Sequence, residues 1–377
     1  MTFYRLLHTR VVNGTGGGPE KTILNSPRFL TPYGYDCLCA YMYPPNDPGF
    51  EILAQRAKES DCPLVGIEDR GIRDWSVVRR LSQICREQAI NIWHGHDYKS
   101  NAIGWLLRRF HKMKLVTTVH GWVFQTARTP FYYAVDRFAI KRYDKVICVS
   151  SDLYDRCLEF GVPESKLVLI ENAIDTEQFA PSSARLTAWD GKASSTGGFA
   201  PFRIGAVGRL APEKGFAPLI RTIADLKRSY PQLELTIYGD GPQRLELEQL
   251  VRSLNAESYV RLPGFASDLL KIYSEMDLFV LNSIREGLPN VCLEAMATGV
   301  PMVSTEVAGV PRLAADGREA LLVPLSDDIA LKSALVRMID DPELRIRLAR
   351  TARQTVEQNF SFARRMEKMR AVYESLF

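Results

Sequence analysis

The sequence predicts an α/β protein with two Rossmann-like domains, and three observations support this fold class. Short apolar segments of strand length alternate with helix-length amphipathic segments, as expected of parallel sheets covered by helices. A stretch rich in Ser, Thr, Ala and Gly interrupts the alternation after Phe179, and a second series of strands and helices follows. The 377-residue chain is also longer than one hydrophobic core usually supports.

The first series predicts a domain over residues 1–180. Its apolar segments are of strand length and are separated by helix-length stretches, which favours a parallel sheet. The predicted strands lie in FYRLLHTRVV, DCLCAYMY, INIWHGHD, KLVTTVHGW, DKVICVSS and KLVLIENAI.

The segment APSSARLTAWDGKASSTGGFAP has the composition of an interdomain linker, which we place at residues 181–200. A second domain is predicted over residues 201–357. Residues 358–377 are predicted to form an amphipathic helix that crosses back to the first domain. The strands predicted in the second domain lie in FRIGAVGRL, LELTIYGDG, YVRLPGF, LFVLNS and PMVSTE.

Composition describes an ordinary globular protein with no pronounced charge bias. Charged residues make up 24%, hydrophobic residues 46%, and the formal net charge is +4; this balance gives no reason to expect a nucleic-acid partner. The seven cysteines form no CxxC pair, so we expect reduced thiols in the core. No apolar stretch has the length of a signal-peptide core or a membrane helix. We therefore expect a cytoplasmic protein, with at most peripheral contact with the inner face of the membrane.

One stretch of the first domain is basic. From Lys99 to Lys145 the sequence has ten Lys/Arg and two Asp/Glu, and it includes the amphipathic cationic segment WLLRRFHKMK. Such a segment suits an anionic lipid surface, and it equally suits a solvated helix face.

The glycine-rich stretch VVNGTGGGPEKT follows the first predicted strand. It departs from the dinucleotide fingerprint because Pro19 replaces the third glycine, and from the P-loop because Glu20 precedes the lysine. What remains is a glycine turn, including Gly16 and Gly17, that opens a helix. Such a turn can direct backbone N–H groups at a phosphate or sugar, or it can be only a tight turn that requires positive φ.

Two motifs in the second domain carry charges suited to a phosphorylated ligand. In AVGRLAPEKG, Arg209 and Lys214 follow a predicted strand, where α/β sheets bind ligands. In EGLPNVCLEAMATGVP, a helix is predicted to start near Pro289 and stop at Gly299. Its N-terminus would attract an anion, with Glu286 and Glu294 on either side as acceptors for the hydroxyls of a diol.

Together these motifs resemble those of the family 4 glycosyltransferases, retaining enzymes with the GT-B fold, in which two Rossmann-like domains face each other across a cleft. VGRLAPEKG, YGDGP and the spacing from Glu286 to Glu294 are similar to the donor-site motifs of that family. The resemblance extends over essentially the whole chain. Two departures are Ala173, where the family usually has Gly, and Arg312 in AGVPRL, where it usually has Glu.

The resemblance implies transfer of a sugar from a nucleotide diphosphate sugar to a glycan or lipid-linked acceptor, in cell-envelope or exopolysaccharide synthesis. A UDP sugar is favoured, and a GDP sugar is the alternative. By resemblance, Arg209 and Lys214 hold the diphosphate, Glu294 binds the ribose, Glu286 binds the sugar hydroxyls, and His120 lies beside the sugar. The catalytic residues so implied are His120, Arg209, Lys214 and Glu286; the donor-binding residues are Gly16, Gly17, Arg209, Lys214, Glu286, Leu288, Pro289, Asn290, Val291 and Glu294.

No metal or other cofactor is expected. No Asp-X-Asp pair ends a predicted strand, and Arg209 and Lys214 supply counter-charge for a diphosphate. His94 and His96 alternate on one predicted strand and admit a metal site or a wall of the first-domain cleft. Because no further Cys or His follows at ligand spacing, we expect the cleft wall.

Two other classes of function stay open at this point. A nucleotide-sugar epimerase of the same fold would need acid and base groups on both faces of the sugar, and only His120 is well placed for that. A catalytically silent sugar-nucleotide-binding protein would be expected to lack Arg209, Lys214 or one of the two glutamates, and all four are present.

Overall fold

The computed structural model describes residues 4–121, 129–189, 201–266 and 268–377. The chain divides into two compact units, one formed by Met1–Asn172 with Ala363–Phe377 and the other by Ala173–Phe362. Each unit contains a parallel sheet covered by helices, which confirms the predicted α/β class.

The sheet of the first unit is wound in both directions from its centre. Its strands are β1 (Tyr4–Val11), β2 (Tyr35–Tyr43), β3 (Leu64–Glu68), β4 (Ile92–Gly95), β5 (Lys114–Val119), β6 (Lys145–Cys148) and β7 (Leu167–Leu169). Within the described residues their order is β3-β2-β1-β4-β5-β6-β7, with parallel pairing throughout. The winding direction changes between β1 and β4, the position at which sheets of this type bind ligands. The register there pairs His8 with His94.

Helices connect the strands of this sheet. Local signals fix where they begin: the Asp97 carboxylate, for example, caps its helix by accepting from the Lys99 and Ser100 amides. The helices are α1 (Gly18–Leu30), α2 (Gly49–Glu59), α3 (Trp75–Glu87), α4 (Tyr98–Leu107), α5 (Thr129–Ile140) and α6 (Ser151–Glu159).

The second unit repeats this construction with a smaller sheet. Its strands are β8 (Phe202–Val207), β9 (Leu233–Tyr238), β10 (Val260–Gly264), β11 (Leu278–Leu281), β12 (Met302–Thr305) and β13 (Leu321–Val323). Among the described residues their order is β10-β9-β8-β11-β12-β13, again parallel. The winding direction changes between β8 and β11.

The helices of the second unit begin inside the segment predicted as a linker. The guanidinium of Arg185 on the first of them donates to the carbonyls of Tyr273, Met276 and Gly299, so this helix is fixed to the second unit. Residues 190–200, the rest of the predicted linker, lie outside the described part of the chain. The helices are α7 (Ser183–Trp189), α8 (Phe216–Leu226), α9 (Arg244–Ser253), α10 (Leu269–Ser274), α11 (Asn290–Ala297), α12 (Asp328–Asp340) and α13 (Pro342–Asn359).

The chain then returns to the first unit through helix α14 (Phe362–Glu374). The apolar residues that predicted an amphipathic helix here are buried, including Met366, Met369 and Tyr373. The Tyr373 ring packs against Tyr35 of β2 with ring centroids 5.6 Å apart. The helix therefore contributes to the core of the first unit, and the predicted tail helix is confirmed.

Every strand predicted from sequence is present, and the described residues contain two further strands, β3 and β13. Both lie at the edges of their sheets. All seven cysteines are buried and free, as expected of core thiols. Within the described residues, no helix combines the length and apolar character needed to cross a bilayer.

Candidate active site

The loops that follow β8 and β9 run side by side at the carboxyl edge of the second sheet. The Gly208 amide donates to the Tyr238 carbonyl over 2.9 Å, and the Leu210 amide donates to the Asp240 carbonyl over 3.0 Å. A Cβ atom on Gly239 would lie 1.9 Å from the Gly208 carbonyl oxygen. A side chain at Gly239 would therefore push away the loop that presents Arg209.

Arg209 is exposed on this loop. Among the residues that the structure describes, its guanidinium forms neither a hydrogen bond nor an ion pair. The side chain is thus available to an anionic ligand, and its charge contributes little to the fold.

Lys214, by contrast, is paired with a predicted site residue. Its Nζ lies 2.6 Å from Glu286 Oε1, and both side chains are largely shielded from solvent. The Ser283 hydroxyl donates to the same carboxylate oxygen over 2.7 Å. The structure therefore brings together two residues that lie in separate sequence motifs.

Backbone contacts hold these two loops together. Gly215 has φ +64°, and a Cβ there would lie 2.1 Å from the Asn282 carbonyl oxygen. The Asn282 amide side chain donates to the Gly215 carbonyl over 2.9 Å, and the Ile284 amide donates to the Glu213 carbonyl over the same distance. The loop after β8 and the loop after β11 are therefore locked in register beside the Lys214–Glu286 pair.

Helix α11 begins at Asn290, directly after Pro289, and its C-terminal end is followed by Gly299 with φ +69°. The predicted start and stop are confirmed. No side chain from the described residues caps its N-terminus, where the half-buried Leu288 and Val291 flank the exposed Asn290. The first N–H groups of a helix carry partial positive charge, so this end suits a phosphate.

Glu294 lies in the second turn of α11 and is 5% exposed. Its Oε2 accepts a hydrogen bond from the Tyr273 hydroxyl over 3.0 Å. Burial, and then the Glu294 charge, raise the pKa of Tyr273 well above its usual value, so the tyrosine stays a donor. Burial and this hydrogen bond restrict the orientation of the carboxylate.

The AGVPRL segment packs against the loop that carries Glu286. Val310–Arg312 form a 3₁₀ turn, and a Cβ on Gly309 would lie 1.5 Å from the Gly287 carbonyl oxygen. Gly309 therefore permits the loop that carries Glu286 to lie directly on the backbone of the turn.

In the first unit, the glycine-rich stretch forms a turn that opens α1. Gly14 and Gly16 have φ of +59° and +72°, which confirms the prediction of a turn that requires positive φ. The Gly17 amide donates to Glu20 Oε2 over 2.6 Å, and the other oxygen of that buried carboxylate pairs with Arg10. In this structure the Gly17 N–H group is thus satisfied by the chain's own carboxylate. Binding of a phosphate by Gly16 and Gly17 stays a prediction.

His120 follows β5 and is half-buried. Its Nε2 lies 3.2 Å from Nδ1 of His96. His94 and His96 are 0% and 6% exposed, so they lie inside the first unit. Our expectation that these two residues form a wall of a cleft is therefore wrong.

Sequence reasoning missed several residues that contact the predicted site residues within each unit. Tyr273 orients Glu294, Ser283 orients Glu286, and His8 contacts His96 over 3.0 Å between Nδ1 and Nε2. The available signal was topological: a doubly wound sheet places β1 beside β4, and His8 then aligns with His94.

Solved structures share this architecture over their whole length. The Anabaena protein HepE, crystallised in complex with UDP, has a TM-score of 0.78 at 19% identity and covers 99% of this chain and 100% of its own. A glycosyltransferase from Rickettsia africae has a TM-score of 0.78 at 17% identity, covering 100% and 99%. These likenesses and the two parallel-sheet units define the class of protein: the chain has the GT-B fold.

Two family models match, one over most of each unit. The model described as "Glycosyltransferase Family 4" matches residues 16–178, and "Glycosyl transferases group 1" matches residues 200–355. The chain belongs to the family 4 glycosyltransferases.

Curated relatives agree with this membership. An Escherichia coli enzyme named UDP-Gal:alpha-D-GlcNAc-diphosphoundecaprenol alpha-1,3-galactosyltransferase is 28% identical over 313 residues, which is 80% of each chain. The lipopolysaccharide core biosynthesis glycosyltransferase LpsD of Rhizobium meliloti is 36% identical over 160 residues, 42% of this chain and 46% of LpsD. The protein is therefore a glycosyltransferase.

Proposed function

We propose that this protein is a retaining glycosyltransferase that transfers a hexosyl group from a nucleotide diphosphate sugar to a glycan or lipid-linked acceptor. The observation that carries the proposal is the arrangement at the edge of the second sheet. There Lys214 pairs with Glu286 over 2.6 Å, Arg209 is exposed, and the first residue of α11 lies four residues before the buried Glu294. Cations, a helix N-terminus and two acceptor carboxylates match a diphosphate that joins two sugars.

The cations act on the leaving group. Breaking the bond between the sugar and the nucleotide places negative charge on the departing diphosphate, and Arg209 and Lys214 supply positive charge at the outset. Electrostatic groups already in position lower the barrier because they need not reorganise during the reaction. We assign both residues, together with the N-terminus of α11, to the diphosphate.

The two carboxylates are assigned to different sugars of the donor. Glu294, held by Tyr273 deep in the second unit, is assigned to the ribose. Glu286, on the loop beside Lys214, is assigned to the hydroxyls of the transferred sugar. We also assign His120 and the turn at Gly16 and Gly17 to the substrate, as the resemblance implies.

We propose a UDP sugar as donor and a reaction that needs no metal. The name of the Escherichia coli relative specifies UDP-Gal, and the Anabaena structure contains UDP; both support the choice of base. The exposed Arg209 and the Lys214 ammonium provide the counter-charge for which other enzymes use a divalent ion.

A lipid-linked acceptor, and contact with an anionic membrane surface, are supported by the basic stretch of the first unit. Phe110 is 73% exposed and Phe138 is 47% exposed. The guanidinium of Arg142 lies 3.5 Å from the Phe138 ring centroid, and that of Arg109 lies 4.7 Å from the Trp105 ring centroid. Aromatic rings beside cations suit the headgroup region of a bilayer.

The segment WLLRRFHKMK does not form one continuous helix. Helix α4 ends at Leu107, and strand β5 begins at Lys114. Two basic residues of the wider stretch are also neutralised, since Lys99 pairs with Asp69 and Arg108 pairs with Asp144. The surface proposed for lipid contact is therefore the aromatic and cationic patch of Trp105, Arg109, Phe110, Phe138 and Arg142.

A mostly apolar cavity on the same unit provides a place for a lipid portion of the acceptor. Its volume is about 190 Å³, and it lies between α3, α4 and α5. Its lining includes Ile72 and Trp75, which are 57% and 70% exposed. Exposed apolar side chains of this size around a cavity are typical of ligand-binding surfaces.

The proposal is tested in two steps. Calorimetry with UDP, GDP and ADP should give tightest binding for UDP, and incubation with UDP sugars and undecaprenyl-diphosphate-linked acceptors should yield a glycosylated lipid. The anomeric configuration of the new linkage, read by NMR, should match that of the donor. Inversion would contradict the retaining mechanism, and conversion of the nucleotide sugar into an epimer without transfer would favour the epimerase.

A further inference from the structure

Four histidines of the first unit form a cluster at the carboxyl end of its sheet. His8 lies on β1, His94 on β4, His96 just after β4, and His120 just after β5. Ring centroids are 5.2 Å apart for His8 and His96 and 5.5 Å apart for His96 and His120. The first three residues are buried, whereas His120 is half-buried.

Ligand atoms of His8, His94 and His96 lie within 4.8 Å of one another, close enough for a metal ion, but hydrogen bonds engage their nitrogens in this structure. Both nitrogens of His94 are engaged, one with the Tyr373 hydroxyl at 2.7 Å and the other with the Thr118 hydroxyl at 2.8 Å. Both nitrogens of His8 and of His96 also have hydrogen-bond partners. The charged groups that act on His96 and His120 include Arg10 and, for His120, Arg365.

Three of these imidazoles, together with Ser26, form a hydrogen-bonded row. Ser26 Oγ lies 3.3 Å from His8 Nε2, His8 Nδ1 lies 3.0 Å from His96 Nε2, and His96 Nδ1 lies 3.2 Å from His120 Nε2. The row thus leads from the interior of α1 to the half-buried His120.

The imidazoles of the row are neutral at physiological pH. Burial lowers the pKa of His8 to about 3 and lowers the pKa of His96 well below its usual range. Burial, and then the charges of Arg10 and Arg365, lower the pKa of His120. A neutral imidazole has one N–H donor and one lone pair, so each ring donates on one side and accepts on the other.

The hydroxyl of Ser26 determines which nitrogen of each imidazole in the row donates and which accepts. It donates its one proton to the Ile23 carbonyl over 2.7 Å, and it can therefore only accept from His8 Nε2. His8 Nδ1 then carries the lone pair of that ring, and it accepts a hydrogen bond from His96 Nε2. His96 Nδ1 in turn accepts from His120 Nε2.

From this geometry we infer that Ser26, through His8 and His96, fixes His120 as the tautomer with its proton on Nε2 and a lone pair on Nδ1. Ser26, His8 and His96 are positioning residues, and His120 is the residue that contacts substrate. Its Nδ1 accepts from a substrate hydroxyl and repels a phosphate, carbonyl or carboxylate oxygen. This inference rests on the proposed function for its ligand, a sugar hydroxyl, whereas the tautomer itself does not depend on any activity.

The tautomer is measured directly by nitrogen NMR of the full chain labelled at histidine, with resonances assigned through single His→Gln variants. His8, His96 and His120 should each carry the proton on Nε2 in the protein without ligand. A proton on Nδ1 of His120, or a doubly protonated ring at neutral pH, would overturn the inference. Because no substrate is present, this result is independent of whether the transferase proposal holds.

Ser26→Ala tests the origin of the direction. Alanine offers His8 Nε2 no acceptor, so the row should reverse and His120 should gain a proton on Nδ1. The reversed ring donates where the substrate hydroxyl should donate, and we expect kcat/KM to fall about three- to tenfold, the equivalent of one neutral hydrogen bond. Ser26→Thr, which keeps a hydroxyl, should restore the Nε2 proton. A Ser26→Ala protein with an unchanged His120 tautomer would contradict the role of Ser26.

Thr118→Val is the matched control. Thr118 is as buried as Ser26 and also bonds a histidine of the cluster through its hydroxyl, but its partner, His94, is outside the row. The His120 tautomer should not change in this variant. If Thr118→Val shifts the tautomer as Ser26→Ala does, the effect comes from general disturbance of the cluster and the inference fails. Reversal of the row in Ser26→Ala without any change in kcat/KM would refute the substrate contact of His120.

Discussion

The two units contain polar clusters of opposite kinds. All five histidines of the chain belong to the first unit, where four of them form a cluster that burial keeps neutral. The second unit has no histidine, and its predicted site residues include permanent charges: the exposed Arg209 and the Lys214–Glu286 pair. Neutral groups can be buried at low cost when every nitrogen has a partner, whereas a charge needs either solvent, as at Arg209, or a partner of opposite charge, as in the Lys214–Glu286 pair. The cluster of the first unit is therefore characterised by the direction of its hydrogen bonds. The charged residues of the second unit are characterised by the electrostatic field that they create.

The largest expected effect is on the acid stability of the first unit. Because the folded pKa of each clustered histidine is lowered, the unfolded chain binds more protons below pH 6.5, and stability falls as pH decreases from there. Each imidazole that stays neutral reduces the free energy of unfolding by about 1.4 kcal/mol per pH unit. His8, with a pKa of about 3, contributes from pH 6.5 down to about pH 3. His94, His96 and His120 act in the same direction.

Denaturant unfolding at pH 7.5, 6.5 and 5.5, followed by probes specific to each unit, checks this prediction. Tryptophans occur in both units, at Trp93 and Trp189 for example, so single-tryptophan variants separate the two transitions. The second unit should lack the histidine contribution. Equal acid sensitivity of the two transitions would remove the contrast between the units.

The second largest effect is expected on catalysis when a permanent charge is removed. Arg209→Ala should lower turnover about a hundred- to a thousandfold, because a preorganised group that stabilises developing charge is worth about 2.7 to 4 kcal/mol. Folding should be unaffected, since the side chain is exposed. Arg221→Ala, an exposed arginine on α8, is the control. Steady-state kinetics on both variants gives the answer, and similar turnover in the two would exclude Arg209 from the site.

A smaller effect should distinguish the two glutamates. Glu294→Gln should weaken UDP and a UDP sugar by a similar factor, about ten- to a hundredfold, since a charge-assisted hydrogen bond contributes about 1.5 to 3 kcal/mol. Glu286→Gln should leave UDP affinity nearly intact, because its partner Lys214 keeps its charge, and should lower turnover. Calorimetry with both ligands measures this. Equal loss of UDP affinity in the two variants would refute the assignment.

The smallest effect concerns the aromatic and cationic patch. Replacing both Arg109 and Arg142 with Ala should weaken binding to anionic vesicles about fivefold for each residue, because a cation near such a surface contributes about 1 kcal/mol. The double variant Arg221→Ala, Arg337→Ala, which removes two exposed charges of the second unit, should bind as the unmodified protein does. Co-sedimentation at low and high salt measures both, and equal binding to neutral vesicles would contradict an electrostatic contact.

Sequence alone sufficed where local chemistry determines structure. The strand at FRIGAVGRL, the helix between Pro289 and Gly299, and the tail helix all follow from apolar periodicity and from Pro and Gly signals. The strand β3 was missed because it is five residues long and contains Gly66 in its centre, and β13 because it has only three residues. Short edge strands have little periodicity to detect.

The contacts made by the predicted site residues within each unit were less accessible to sequence reasoning. Lys214 and Glu286 were each singled out, but their direct pairing depends on how the loops after β8 and β11 meet. The row from Ser26 to His120 was also missed, because its members come from four separate segments. Parallel pairing brings β1, β4 and β5 side by side, and Ser26 is added from helix α1. A single sequence records each donor and acceptor but not which donor meets which acceptor.

Helix α14 has a consequence for biosynthesis. The first unit includes residues 363–377, and the Tyr373 hydroxyl on this helix bonds a buried histidine of β4. The ribosome makes these residues only after the whole second unit, which at about 5 to 20 residues per second delays them by roughly 10 to 40 seconds. The first unit to be synthesised is therefore the last to be completed. Until helix α14 has been made, Nδ1 of His94 lacks the Tyr373 hydroxyl as its hydrogen-bond partner.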